Sequence, residues 1–246
     1  MSALEWAIRL EGIERVHGGG QRLVRALGPL DLRVARGELL AVMGPSGSGK
    51  STLLHLVAGL DQPSAGRVFV LGQDLALASA EQRSALRRRE LGFVFQDLNL
   101  IPGLNALENV ALPLELGGWR AKPARTAAEQ ALEWVGLGDK LARFPADLSG
   151  GEQQRVAIAR ATVGPRRLIV ADEPTGALDS VQAENVLRLV RGFCDQGGTA
   201  LIATHDPLQA AWADRIVVLR DGRLQAESPG DQAGAALLQV QGRTKG

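Results

Sequence analysis

The sequence predicts an α/β fold with a mostly parallel sheet, an N-terminal antiparallel β portion and an inserted helical portion. Three observations carry this expectation. Short apolar runs such as Leu39–Met43, Leu91–Phe95, Thr199–Ala203 and Arg215–Arg220 alternate with helix-length stretches, the pattern of parallel strands joined by crossovers. The strands before residue 40 and Arg67–Leu71 are linked by tight Gly/Pro turns, too short for a crossover, so they pair antiparallel. From Asn105 to Phe144 the chain reads helix after helix without a strand.

In chain order, strands are expected at Ala7–Glu11, Asp31–Ala35, Leu39–Met43, Arg67–Leu71, Leu91–Phe95, Arg167–Ala171, Thr199–Ala203, Arg215–Arg220 and Arg223–Gln225. Helices are expected at Lys50–Ala58, Ala80–Arg89, Ala106–Leu114, Pro123–Val135, Gly150–Val163, Ser180–Cys194 and Pro207–Ala213, with a last amphipathic helix at Gln232–Val240. This gives one domain over 1–246. Its α/β core and β portion span 1–96 and 165–227, its helical portion spans 97–164, and 228–246 form a C-terminal helix or tail. Gly18-Gly19-Gly20 reads as a hairpin loop.

With 246 residues, 45% hydrophobic and 22% charged, the chain can bury a full core. Lys plus Arg number 28 and Asp plus Glu 27, a balance of +1 that gives no support for bulk attraction to nucleic acid. The run Arg87-Arg88-Arg89 reads as a solvated helix face, and no nucleic-acid partner is expected. Cys194 is the single cysteine, so no internal disulfide forms, and its apolar-periodic surroundings suit a buried thiol. The first nine residues, with Glu5 and Arg9, do not read as a signal peptide, and no run approaches the ~20 apolar residues of a membrane span. Any membrane part is expected from another chain.

The strongest motif follows the buried strand Leu39–Met43. It is Gly44-Pro45-Ser46-Gly47-Ser48-Gly49-Lys50-Ser51-Thr52, and a helix begins within it. This matches the phosphate-binding pattern G-x-x-x-x-G-K-[ST] in its required strand–loop–helix setting. Glycines let backbone N–H groups converge on phosphate oxygens, and the helix N-terminus adds its positive end. Lys50 is expected to reach the β- and γ-phosphates of ATP, Ser51 to bind Mg²⁺, and Thr52 to touch the α-phosphate. A second strand, Leu168–Ala171, ends in Asp172-Glu173. Ligands gather at the carboxyl ends of parallel strands, so Asp172 is expected to face Mg²⁺ and Glu173 to orient or deprotonate a water.

Leu148-Ser149-Gly150-Gly151-Glu152-Gln153-Gln154-Arg155 precedes a helix upstream of Asp172. Here the chain resembles the ABC ATPase family, and the order of elements extends the resemblance over roughly residues 7–227. The resemblance implies that two copies pack head to tail, with Ser149, Gly150 and Gly151 of one closing on ATP held by the other. It implies that Gln96 meets Mg²⁺ and couples to a permease, that Asp179 in Ala177-Leu178-Asp179 contacts the opposite copy, and that His205 is a switch on the γ-phosphate. Catalytic roles are thus expected for Lys50, Gln96, Glu173 and His205. Leu100-Ile101-Pro102, Asn105–Val110 and Ala171–Asp179 are similar to the macrolide-export and lipoprotein-release ATPases. That likeness implies a homodimer at the cytoplasmic face of the plasma membrane, an integral membrane permease and a periplasmic adaptor. The alternative it leaves open is a cell-division-type ATPase that regulates a permease-like partner without transport.

Two departures stand out. Relatives stack adenine on a tyrosine upstream of the phosphate loop. This chain has no tyrosine, and His17 holds that place. The signature's fifth residue is Glu152 rather than the commoner glutamine. His55 reads as a packed helix residue, and the four tryptophans carry no assigned role.

Overall fold

The computed structural model describes residues 6–18 and 23–230. β1 (Trp6–His17), β2 (Val24–Ala35), β4 (Ala65–Val70) and β5 (Gln73–Asp74) form an antiparallel sheet in the order β2-β1-β4-β5. The second sheet contains β3 (Leu39–Met43), β6 (Leu91–Val94), β7 (Leu168–Asp172), β8 (Thr199–Thr204), β9 (Arg215–Arg220) and β10 (Arg223–Pro229). Its order is β10-β9-β3-β8-β7-β6, parallel throughout except for β10 at one edge. The helices are α1 (Lys50–Val57), α2 (Ala80–Arg89), α3 (Ala106–Leu116), α4 (Ala121–Trp134), α5 (Gly150–Thr162), α6 (Ser180–Asp195) and α7 (Pro207–Ala210). Among the described residues no helix is long and apolar enough to cross a membrane.

The parallel strands are apolar along their middles, with any polar residues at their ends, because both their faces are covered. Side chains alternate between the faces. Leu39, Ala41 and Met43 of β3 pack with α3, α4, α5 and α6, while Leu40 and Val42 pack with α1 and the antiparallel sheet. β7 divides likewise, with Ile169 and Ala171 on one side and Leu168 and Val170 on the other. Cys194 is buried in the first cluster, and burial pushes its thiol up to about 12, which leaves it unreactive. His55 packs its ring against Phe93 at a centroid distance of 5.7 Å.

The elements follow the sequence expectation with local differences. β1 and β2 are longer than expected because register shifts break the alternation between Leu10 and Ile13, where Gly12 takes φ +54° and donates its N–H to Asp31 Oδ1 at 2.8 Å. The hairpins β4–β5 and β9–β10 turn at Leu71-Gly72 and Asp221-Gly222, all with positive φ, the geometry that suits the right-handed twist of the strands. α4 begins before Pro123, which sits in its first turn where no N–H partner is lost. α3 continues to Leu116 with Pro113 inside it, and α7 stops at Ala210. The helix expected at Gln232–Val240 lies outside the described residues.

Two features fix α5. Its backbone lies directly on β6: a Cβ built at Gly92 would stand 1.9 Å from the Ala161 carbonyl oxygen. Its N-terminus is a reciprocal capping box, in which Ser149 Oγ accepts from the Glu152 N–H at 3.3 Å and Glu152 Oε2 accepts from the Ser149 N–H at 2.9 Å. Glu152 Oε1 is also paired with the Lys140 ammonium. The Lys140 hydrogen bond first, then the Ser149 N–H, holds the Glu152 carboxyl down at about 2.

Two stability predictions follow from this. Gly92→Ala forces α5 off β6 and lowers the urea-unfolding free energy by about 1–3 kcal/mol, a strain penalty that an unchanged midpoint would disprove. Glu152 contributes stability above its ordinary value of 4.5, and this is lost as pH falls toward about 2. The acid limb of thermal unfolding is therefore shallower in Glu152→Gln than in the native chain below pH ~4.5. Parallel acid limbs would show that the capping carboxylate adds nothing.

Candidate functional site

The loop between β3 and α1 is shaped by contacts that admit no side chain. Gly44 has φ +156° and Gly49 φ +103°. A Cβ on Gly44 would meet the Leu219 carbonyl oxygen at 2.1 Å, and one on Gly49 the Ala26 carbonyl oxygen at 2.6 Å. The loop is thus pressed between β9 of one sheet and β2 of the other. Gly49 is also the N-cap of α1, with no side-chain cap, so the first-turn N–H groups of α1 have no capping oxygen.

A cleft of about 770 Å³ opens over this loop. Ser46, Gly47, Gly49, Lys50, Ser51 and Thr52 line its floor. Asp172 and Glu173 enter from the end of β7, His205 from the end of β8, and Gln96 from the loop after β6. Gly150, Gln153 and Gln154 of α5 form part of the same wall, as do Val24, Arg25 and Ala26 of β2. These residues come from six separate regions of the sequence, brought together because the parallel strands end on one side of the sheet.

Lys50 is only 7% exposed. Its ammonium donates to the Gly44 carbonyl at 2.8 Å and the Pro45 carbonyl at 3.2 Å, and lies 3.7 Å from Glu173 Oε1. The other Glu173 oxygen, Oε2, is 2.9 Å from His205 Nδ1, which lies on an exposed ring. One carboxylate therefore bridges the loop lysine and the strand-end histidine. Glu173 holds this place with φ +46°, a left-handed conformation that is costly for a side chain of its size, and its N–H donates to the Ala203 carbonyl at 3.0 Å.

Asp172 is 6% exposed, and its Oδ1 has no hydrogen-bond partner. A buried, unpaired carboxylate oxygen in a cleft that Ser51 also lines suits a hard divalent cation. Among the described residues no group of three or more His, Cys, Asp or Glu side chains could hold a metal.

Other expected residues lie elsewhere. Ser48 is buried inside the loop, Gly44 is buried beneath it, and Pro45 is exposed, lending its carbonyl to Lys50. His17 ends β1 and does not line the cleft, but it pairs with Val24, which does. Ser149 is exposed and occupied in capping α5. Asp179 is the N-cap of α6, accepting from the Gln182 N–H at 2.9 Å and from Gln182 Nε2 at 2.7 Å. The Gln182 side chain sits over Gly151, where a Cβ would meet it at 1.5 Å. Within one copy, Asp179 and Gly151 are thereby joined through Gln182.

Sequence reasoning missed several supporting residues. Gln209 Oε1 accepts from Thr204 Oγ1 at 2.8 Å and from Thr175 Oγ1, tying the His205 turn to the turn after Glu173. Asn109, fully buried in α3, donates to the carbonyls of Ile101, Leu104 and Asn105 and accepts from the Ile101 N–H, which fixes the far end of the loop that starts at Gln96. Arg160 holds the near end, donating to the Leu98 carbonyl at 2.5 Å and the Asn99 carbonyl at 2.6 Å. A polar residue inside a helix gives no sign in the sequence that it serves a distant loop.

Comparison with known proteins shows the family. The family model described as ABC transporter matches residues 27–176. The lipoprotein-releasing system ATP-binding protein LolD of Shewanella sp. (strain MR-4) is 44% identical over 220 residues, covering 89% of this chain and 95% of the relative. The macrolide export ATP-binding/permease protein MacB of Marinobacter nauticus is 44% identical over 230 residues, covering 94% of this chain but only 36% of that longer protein. Among solved structures, a dimeric ATP-binding cassette in a post-hydrolysis state bound to ADP and Pi superposes with a TM-score of 0.84 at 37% identity, covering 90% of this chain and 98% of that one. The cleft floored by a phosphate loop, the acidic strand end beside it and these matches together place the chain in the ABC transporter family, as an ATP-binding, ATP-hydrolysing subunit of the LolD and MacB type.

Proposed function

We propose that two copies of this chain close head to tail on two Mg·ATP molecules and drive a membrane permease of the extrusion type, for cargo such as lipoproteins or macrolides. The observation that carries this reading is the Glu173 carboxylate held between Lys50 at 3.7 Å and His205 at 2.9 Å, beside the unpaired Asp172 oxygen.

The roles follow from charge and position. The N–H groups from Gly44 to Thr52 and the start of α1 receive the phosphates. Lys50 exchanges its loop carbonyls for β- and γ-phosphate oxygens, a gain because an anion outbids a neutral acceptor. Ser51, Asp172 and Gln96 hold Mg²⁺, which when bound neutralises charge on the phosphates. Once Lys50 is drawn to phosphate, Glu173 is free to accept a proton from, or orient, the attacking water. His205, hydrogen-bonded to Glu173 through Nδ1, offers its second nitrogen toward the γ-phosphate. Catalysis here is positioning and charge stabilisation by groups already in place. The purine would rest against Val24 and His17, a smaller platform than a tyrosine gives.

Ser149, Gly150 and Gly151 serve the opposite copy. The exposure of Ser149 and Gly150 supports this, as does the exposed Asp179 turn beside them. A groove of about 450 Å³ between α3 and α4, with Leu104, Leu107 and Leu112 flanked by Glu108, Glu115 and Lys122, supports docking of the permease beyond the Gln96 loop. The chain would then sit peripherally at the cytoplasmic face of the plasma membrane, with a periplasmic adaptor on the far side.

Lys50→Ala loses nucleotide binding by at least tenfold in a fluorescence titration, since one charge-assisted contact is worth that much. Unchanged affinity would remove Lys50 from the phosphate site. Glu173→Gln binds Mg·ATP but does not turn it over, so it accumulates a closed dimer visible by gel filtration. Turnover at the native rate in Glu173→Gln would end its assignment to the water.

A further inference from the structure

We infer that Arg160 is a positioning residue for Gln96: its guanidinium fork clamps two carbonyls of the loop that carries Gln96 into the cleft. The inference rests on the proposed role of Gln96 toward Mg²⁺.

The loop leaves β6 at Val94 and reaches Gln96 two residues later. Leu98 and Asn99 then take φ +57° and +48° in succession. Two adjacent left-handed residues, one of them a leucine, are unfavourable unless the surroundings hold them. Arg160 supplies the hold. Its Nη2 donates to the Leu98 carbonyl at 2.5 Å and its Nη1 to the Asn99 carbonyl at 2.6 Å, one planar fork across two consecutive peptide units. The guanidinium is half-buried, and both contacts are charge-assisted, the one to Leu98 part-buried and the one to Asn99 exposed.

The frame that carries Arg160 is itself rigid. α5 lies on β6 with backbone contact at Gly92 and Ala161, the neighbour of Arg160. The distance from β6 through the fork to the loop is therefore closed on itself: β6 supports α5, α5 holds Leu98 and Asn99, and these set the direction of Gln96. The far end is pinned separately by Asn109. Gln96, by contrast, is exposed, so its position follows its loop.

The direct test is hydrogen exchange on the full chain without nucleotide. In Arg160→Gln, the amides of Leu98 and Asn99 exchange about tenfold faster or more, while that of Ile101, held by Asn109, and those of α5 keep native protection. Arg160→Lys, which can reach one carbonyl at a time, gives an intermediate rate and guards against a variant that fails to fold. The functional arm titrates Mg²⁺ in ATP hydrolysis. Arg160→Gln and Gln96→Ala both raise the half-saturating Mg²⁺ by about tenfold, with Arg160→Lys between them and the native chain. Native exchange at Leu98 and Asn99 in Arg160→Gln overturns the clamp. A native Mg²⁺ dependence in Arg160→Gln while Gln96→Ala is shifted overturns the inference alone. A native Mg²⁺ dependence in Gln96→Ala overturns the role of Gln96 and the inference with it.

Discussion

The phosphate loop depends on a close three-way packing of backbones at Gly222. The Gly222 N–H donates to the Ser48 carbonyl at 3.0 Å, and the Gly222 carbonyl accepts from the Gly28 N–H at 2.8 Å. A Cβ at Gly222 would meet the Ala26 carbonyl oxygen at 2.7 Å, as one at Gly49 would at 2.6 Å. The turn between β9 and β10 thus fastens the loop to the antiparallel sheet. Without the antiparallel sheet, β3, the loop and α1 would still form a strand–loop–helix unit, but the loop would lose the β2 backbone that packs against Gly49 and be pressed only by β9. The two-sheet arrangement is in this sense part of the binding site rather than a platform beneath it.

Much of this was legible from residue types. The parallel strands declare themselves because burial on both faces leaves only apolar residues, and that is why Leu39–Met43 and Leu168–Ala171 are found without ambiguity. The loop Gly44–Thr52 is legible because Gly44 and Gly49 are required by backbone contact and Gly47 by its φ of +78°, constraints that other residues cannot meet. Asp172 and Glu173 could be placed by rule, since strand ends in such sheets point the same way. What was not legible depends on conformation or on contacts between distant segments. The left-handed backbone of Glu173, the bulges in β1 and the reach of Asn109 and Arg160 all follow from tertiary packing. His17 lies at the boundary: its position in the chain suggested a place beside the nucleotide, and its strand pairing sets it next to Val24, which lines the cleft.

Strain in this molecule gathers where chemistry is expected. Glu173, Leu98 and Asn99 are three of the five non-glycine residues with positive φ among the described residues; the other two, Leu71 and Asp221, sit in hairpin turns that favour it. Each strained residue near the cleft is held by a specific bond: Glu173 by its N–H to Ala203, Leu98 and Asn99 by Arg160. Strain held by a few bonds can be released when those bonds change, which suits groups in a site proposed to open and close between two copies.

The signature helix raises a last electrostatic question. A helix N-terminus meant to face a partner's triphosphate should not carry a free carboxylate in its first turn, because the two anions would repel. Glu152 is such a carboxylate, ionised at any physiological pH. Lys140 resolves the conflict by pairing with Glu152 Oε1, while Oε2 is consumed by the Ser149 N–H. The carboxylate is thereby turned into a neutral brace, and Ser149 is held in extended backbone at the head of α5. A glutamine in the same place would cap the helix without needing Lys140. The ion pair therefore accounts for how this chain can depart from the common signature residue and keep an N-terminus that is electrically suited to phosphate.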